Sequence, residues 1–385
     1  MARLLLCIDE SPASLAATRA LRAAGHEPWL ALSHRDTPAS RSRLAAGVAR
    51  VVDPQLDPAG YANEVASLSH GLGASAVLPA TESALRALSG RESLFEAAVG
   101  TNGVELLDRV TDKALLAVAG AEAGLPAPPA LELRAGDDLG PVTYPAVVKP
   151  LRTVDATGDG TLRTADVIRV DDEPELERAL VAAGGPMLVQ RYVTGTLAAV
   201  AGVAWRGETV VTGHQRSERI WPPGRGITAF GRTVPIDPEL DVRVRELVAW
   251  SGWSGVFQVQ VIDDGERRWL IDLNPRLYGS LGLLVAAGLN LPAIWVELLL
   301  GREPAPAAAR IGQRYRVEEN DVRALAALFR AGRRREALGG LLPRPRTAHA
   351  TFAWRDPAPA GYVVSKALGR ARQRVTRSRS SRSTS

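Results

Sequence analysis

The chain has 385 residues, 46% of them hydrophobic and 23% charged, enough to bury a core over two or three domains, which excludes disorder of the whole chain. Its formal charge is +5 from 47 basic and 42 acidic residues, but seven of the basic residues and no acidic ones lie between Lys366 and Arg382. Without that tail 40 basic residues face 42 acidic ones, a difference of −2, so the basicity does not describe a nucleic-acid-binding face of the body.

Cys7 is the only cysteine, which excludes an intramolecular disulfide and a thiolate metal cage and points to a reducing cytoplasm. The apolar run after Arg3 ends at Asp9 and is too short for a secretory segment, so no export is expected. Leu281 to Leu300 is the longest apolar stretch, yet Asn290, Pro292 and Glu297 interrupt it, and it reads as buried interior rather than a membrane span. Only three of the 47 basic residues are lysines, Lys113, Lys149 and Lys366. An arginine-rich chain that keeps lysine has a use for a compact, flexible point charge there, although chance accounts equally well for any single one.

In chain order, Leu4 to Ile8 reads as a strand, Ser14 to Ala24 as a helix, and Trp29 to Ser33 and Val48 to Val52 as strands. A helix at Tyr61 to Leu72 and a strand at Ala76 to Leu78 continue the alternation, which implies a parallel sheet. No GxGxxG follows the first strand, so this part has the topology of a dinucleotide-binding fold without its phosphate fingerprint. Thr111 and Asp112 cap a predicted helix Lys113 to Ala123. Tyr144 to Lys149 and Val167 to Val170 are strands flanking a loop with Thr157, Gly158, Asp159 and Gly160. After a helix at Asp172 to Ala183 comes the strand Met187 to Val193, then two strands within Leu197 to Val211 that turn at Gly207 and Glu208, the start of an antiparallel sheet. Pro238 to Trp250 is helical, and a hairpin pairs Val256 to Val261 with Trp269 to Leu273. Residues 304–310 read as a Pro- and Ala-rich linker, 311–365 show one helix near Val322 to Ala331, and the Arg/Ser-rich end is expected to be disordered.

The strongest chemical signal is the hairpin arm ending Ile271, Asp272, Leu273, Asn274, Pro275, Arg276. Alternation puts Asp272 and Asn274 on one strand face, two hard oxygen donors suited to Mg²⁺, with Arg276 able to reach an anion beside the metal. A solvated edge strand has the same pattern. Gln258 and Gln260 share that face if the hairpin loop has an odd number of residues, as with the three-residue loop Asp263, Asp264, Gly265; an even loop puts them on the wrong side. Lys149 ends a strand before a glycine loop, the mobile cation and close backbone approach that a polyphosphate needs, although a surface turn looks alike.

The order and spacing of these parts resemble the ATP-grasp superfamily, in particular its carboxylate-amine ligase and carbamoyl-phosphate-synthase-like members, from about residue 1 to 303. The resemblance rests on the Thr111–Asp112–Lys113 helix start, YPAVVKP at 144–150, the glycine loop, LVQRYVTG at 188–195, 255–260, and IDLNPRLYGS at 271–280. It implies an α/β and α+β fold: a Rossmann-like domain over 1–108, then a two-lobed ATP-grasp domain with an antiparallel sheet over 109–303, an accessory segment over 304–365 and the basic tail 366–385. It also implies ATP and Mg²⁺ (Mn²⁺ as an alternative ion) as cofactors. Lys113 and Lys149 would hold phosphates under a loop bearing Thr157, Gly158 and Gly160. Gln190, Arg191, Tyr192 and Val193 would edge the adenine site. Gln260, Asp272 and Asn274 would ligate metal, and Arg276 would stabilise the transferring phosphoryl group. Asp272 and Gln260 stand where Glu is commoner in the family, and Arg191 replaces a frequent acid.

The implied activity is ATP-dependent joining of a small carboxylate to an amine through an acyl phosphate, with Lys149 and Arg276 catalytic. A phosphotransferase without ligation and a non-catalytic nucleotide sensor are the alternatives. No membrane partner is expected, nucleic acid would be met only through the tail, and a homodimer is compatible. His214, Arg216 and Arg219, before the turn Trp221 to Gly224, are candidates to border an acceptor pocket and bind its carboxylate; surface arginines in an arginine-rich chain are the other reading.

Overall fold

The computed structural model describes residues 1–33, 36–157, 160–164 and 166–368. Five parallel strands, β1 (Arg3–Ile8), β2 (Glu27–Leu32), β3 (Gly47–Arg50), β4 (Ala76–Pro79) and β5 (Ala98–Val99), form the N-terminal sheet in the order β3-β2-β1-β4-β5. Alternate residues of β1 serve opposite cores: Leu5 and Cys7 pack with helices α2 (Pro58–Leu72) and α3 (Glu82–Leu88), while Leu4, Leu6 and Ile8 pack with α1 (Pro12–Ala23). Burial on both faces is why this strand is continuously apolar. Thr81 caps α3 by accepting from Ala84 N at 3.0 Å. Helices α4 (Val104–Thr111) and α5 (Lys113–Glu122) meet at Asp112, whose carboxylate accepts from Ala114 N and Leu115 N as its cap position predicts.

Next come β6 (Ala130–Leu133), β7 (Ala146–Pro150), β8 (Val154–Ala156), β9 (Leu162–Thr164), β10 (Ile168–Val170), α6 (Glu173–Ala183) and β11 (Met187–Arg191). Four of these strands form a sheet, β10-β7-β11-β6, with α6 on one face, while β8 and β9 make a separate hairpin. The largest sheet follows. Its strands are β12 (Thr196–Trp205), β13 (Glu208–Trp221), β14 (Ile227–Val234), β15 (Gly255–Asp263), β16 (Arg268–Asn274), β17 (Arg314–Arg316) and β18 (Thr347–His349), in the order β16-β15-β12-β13-β14-β17-β18. Helix α7 (Pro238–Ser251) covers one face together with α4 and α5. Helices α8 (Leu281–Ala286) and α9 (Leu291–Leu299) sit between this sheet and α1, sharing a core with β1. The apolar stretch Leu281 to Leu300 is therefore interior, and no helix among the described residues is long and apolar enough to cross a membrane.

Three expectations are corrected. The hairpin turn is not the three residues 263–265: Asp263 pairs with Arg268, leaving four residues, 264–267, in the loop. Residues 311–365 hold more than one helix, since α10 (Glu318–Arg330) and α11 (Arg334–Leu341) are joined by β17 and β18, which complete the large sheet. Beyond 303 the chain is thus no free-standing unit. The strand pair predicted to end at Val211 extends through Trp221 because β14, unrecognised in the sequence, supplies it with a partner. Of the tail 366–385, expected to be disordered, residues 366–368 are helical and 369–385 lie outside the described residues.

Candidate active site

Lys149 and Asp272 belong to different sheets, and the fold turns those sheets toward each other across a cleft of about 220 Å³. Lys149 is the last residue but one of β7 and its side chain is buried; its Nζ donates across the cleft to Ile271 O of β16 at 3.0 Å. Burial pushes the Lys149 ammonium down to about 8, against the pull of Asp272 and with repulsion from Lys113 adding to the shift. Lys113, also buried, opens α5 and donates through Nζ to Thr153 Oγ1 at 3.2 Å. Two cations with so few compensating anions fit a site that receives a polyanion.

The metal-ligand expectation depends on strand parity. Gln258 faces Asn274 and Gln260 faces Asp272, whereas Val261 faces Leu270, so Ile271 is an extra residue in β16. The four-residue loop alone would put the glutamines on the wrong side; a β-bulge at Ile271 restores the parity and presents its carbonyl to Lys149. Asn274 Nδ2 approaches Gln258 Oε1 at 3.4 Å. One carboxylate and two amide groups on neighbouring strands make a hard-oxygen donor set, which fits a magnesium ion that shares its sphere with phosphates. No group of three His, Cys, Asp or Glu side chains suited to a metal exists among the described residues.

Gln190, Arg191, Tyr192 and Val193 line the same cleft at the end of β11. Gln190 is buried and donates to Pro128 O at 3.1 Å, while the N–H groups of Arg191 and Tyr192 donate to Pro129 O and Pro145 O at 2.9 and 3.2 Å. Arg191 turns its guanidinium onto the Trp269 ring, 5.0 Å from its centroid. Apolar walls come from Leu197, Ile220, Ile227, Ile262 and Ile271.

Of the predicted site residues, Lys113, Lys149, Gln190 to Val193, Gln260 and Asp272 line the cleft. Asn274 lies one pleat beyond, opposite Gln258. Arg276 is half-buried, with Nη1 donating to Leu277 O at 3.1 Å and Nε 3.6 Å from Glu82 Oε2. Thr157 and Gly160 sit between β8 and β9 and do not line the cleft; Gly158 lies outside the described residues.

The acceptor-pocket candidates are placed elsewhere. His214 is buried against Asp241, Nε2 to Oδ1 3.2 Å, and burial lowers its pKa. Arg219 gives a two-pronged bond to buried Asp321, at 2.6 and 3.1 Å, and stacks on Phe230. Arg216 is exposed and donates to Thr196 Oγ1 at 3.0 Å. The turn that follows is in the cleft: Gly224, Arg225 and Gly226 line it, and Arg225 Nη1 donates to Val167 O at 2.7 Å on the opposite wall. A Cβ on Gly224, whose φ is +77°, would lie 2.9 Å from Tyr192 Oη, so glycine lets this turn approach. Sequence reading missed Arg225 because no local pattern tells a cleft arginine from the many surface ones.

A family profile described as ATP-grasp in the biosynthetic pathway with Ter operon matches residues 184–322, which spans β11 to α10 and includes Gln190, Gln260, Asp272, Asn274 and Arg276. No curated protein sequence matches the chain. Among solved structures, an L-amino acid ligase from Bacillus licheniformis is similar, with 18% identity over 77% of this chain and 73% of that one, at a TM-score of 0.58. An N5-carboxyaminoimidazole synthetase from Staphylococcus aureus complexed with ADP is 13% identical over 81% and 80% of the two chains, at 0.60. The biotin carboxylase domain of a Hydrogenobacter thermophilus 2-oxoglutarate carboxylase, in complex with MgADP, ADP and bicarbonate, is 15% identical over 81% and 73%, at 0.60. The profile takes in Gln260 and Asp272 but neither Lys113 nor Lys149, and with the architecture shared with these structures it makes residues 184–322 similar to the ATP-grasp family.

Proposed function

We propose that the cleft binds Mg-ATP and that the protein joins a small carboxylate to an amine through an acyl phosphate. The observation that carries this reading is the convergence of Lys149, Lys113, Gln260 and Asp272, from separate elements, on one cleft with an apolar slot beside it. In this reading residues 1–108 are a Rossmann-like domain, and the four-stranded sheet and the part of the seven-stranded sheet that falls within 109–303 are the two lobes that hold the nucleotide between them.

The base occupies the apolar slot against Ile262 and Ile271. With the amides of Arg191 and Tyr192 committed to prolyl carbonyls, Val193 N–H is the hinge donor we assign to it. Lys149 and Lys113 neutralise the phosphate oxygens, and Lys149 gives up the Ile271 carbonyl to do so. Asp272, Gln260 and Asn274 would hold the magnesium, and the Nδ2 contact to Gln258 leaves Asn274 Oδ1 free to serve as a donor. When bound, the ion supplies charge neutralisation between a carboxylate and a triphosphate that repel one another. Arg276 stabilises the transferring phosphoryl group. No side-chain nucleophile is needed, so positioning and charge are what the protein contributes.

The test is ADP release measured against a panel of amino acids and small carboxylates, singly and in pairs. Release that needs both an acid and an amine is the expected result, and Lys149→Ala and Asp272→Asn should each reduce it at least about a hundredfold. Undiminished release in both variants sinks the assignment. Release independent of any amine would identify a phosphotransferase, and nucleotide binding without release would identify a sensor.

A further inference from the structure

Each arm of the β8–β9 hairpin has a backbone amide fastened to the N-terminal part of the chain, and β9 is tied to α6 as well, Arg163 Nη1 donating to Ala183 O at 3.1 Å. On one arm Val154 N donates to Glu82 Oε1 at 3.2 Å. On the other, Leu162 N donates to Gln55 O at 2.7 Å, and Gln55 Nε2 reaches Ser83 Oγ at 3.3 Å. Glu82 is the first residue of α3 and is buried. Its second oxygen, Oε2, lies 3.6 Å from Arg276 Nε, and that Nε is buried without a hydrogen-bond partner. Helix capping does not account for a buried carboxylate here, because Thr81 already caps α3. A buried charge is costly unless it is paired, and what Glu82 pairs with is the hairpin backbone and the arginine beside the metal ligands.

We infer that Glu82 is a positioning residue of the phosphate site. One carboxylate oxygen sets the β8–β9 hairpin and the other aims Arg276, so that engagement of a terminal phosphate by Arg276 and tightening of the hairpin are a single event, controlled from the N-terminal sheet. The inference rests on the reading of the cleft as a Mg-ATP site. It needs differential contact with nucleoside di- and triphosphates, since a ligand shifts a coupled element only through such a difference.

The experiment is hydrogen–deuterium exchange of the β8 and β9 amides, without nucleotide, with Mg-ADP and with the non-hydrolysable Mg-AMPPNP, in the wild type, Glu82→Gln and Glu82→Ala. Glu82→Gln keeps an acceptor for Val154 N and loses the charge facing Arg276; Glu82→Ala loses both. In the wild type, Mg-AMPPNP should slow exchange about tenfold more than Mg-ADP. Glu82→Gln should keep the nucleotide-free rate within about twofold and lose that difference, whereas Glu82→Ala should exchange about tenfold faster even without nucleotide. A merely structural glutamate would not tie hairpin exchange to the third phosphate. Equal protection by the two nucleotides in the wild type, or a difference that survives in Glu82→Gln, overturns the inference while leaving the ATP site standing. No response of the wild type to either nucleotide removes the ATP site and the inference together. If Glu82→Ala does not fold, the isosteric Glu82→Gln decides alone.

Discussion

Lys149 is the residue on which the cleft turns, and its displaced ionisation makes a pH prediction. The folded pKa is about 8 against 10.5 for the free side chain, so between these values the unfolded chain binds more protons and folding stability from this group rises with pH. Nucleotide binding has the opposite dependence. A triphosphate favours the ammonium, so binding at pH 8.5 should draw a proton from solvent and affinity should weaken as the pH climbs above about 8. Calorimetric titration of Mg-AMPPNP in two buffers of different ionisation enthalpy should detect that uptake in the wild type and not in Lys149→Arg, which stays charged throughout. The cleft position of Lys149 and Asp272, and the shared strand face of Asp272 and Asn274, are legible in the sequence because a strand has a period of two and because lysine is rare in this chain. Glu82 and Arg225 are not, since each enters the site from an element whose own pattern says only helix start or turn.

At the scale of the element, the β15–β16 hairpin shows how a correct face assignment can rest on the wrong loop. The odd loop of the sequence reading and the observed even loop with a bulge have the same parity, and alternation alone cannot separate them. The bulge does more than a three-residue turn would, since the unpaired Ile271 frees a carbonyl for Lys149. Deleting Ile271 should therefore make the ladder regular, keeping Asp272 opposite Gln260 and Asn274 opposite Gln258, and take away only the carbonyl that Lys149 holds. The expected readout is Mg-AMPPNP binding that survives the deletion; its complete loss would show that the strand slips by one residue instead and carries Asp272 and Asn274 to the other face. The strands β17 and β18 mark the other limit of legibility. At three residues each, they are too short to show a period, and their place in the sheet comes entirely from tertiary pairing.

Over the whole molecule, the last described part of the chain closes the first. Asp356 is completely buried, accepting from Arg19 Nε at 2.9 Å, Ser42 Oγ at 2.7 Å and Arg43 N at 3.1 Å. Asp356→Ala leaves the Arg19 guanidinium without its counter-charge and should cost about 3–5 kcal/mol, measured by urea unfolding. A loss below about 1 kcal/mol would show that solvent takes over the contact. Lys366, the third lysine, has no part in the cleft; it donates to Glu10 Oε1 at 3.0 Å just beyond the end of β1. Removing residues 369–385 should leave Mg-AMPPNP affinity unchanged within about twofold, because no cleft-lining residue lies beyond Asp272; a tenfold fall would give the basic tail a role in nucleotide binding.

The Arg19–Asp356 pair spans 337 positions, and that separation bears on how the polypeptide is made. Synthesis proceeds from the amino end at roughly 5–20 residues per second, so the parallel sheet can assemble early but must wait tens of seconds for the carboxylate that completes it. During that interval Arg19 and the groove around Ser42 face water or a chaperone, and a ribosome stalled before codon 356 would hold a nascent chain whose first-made layer remains open.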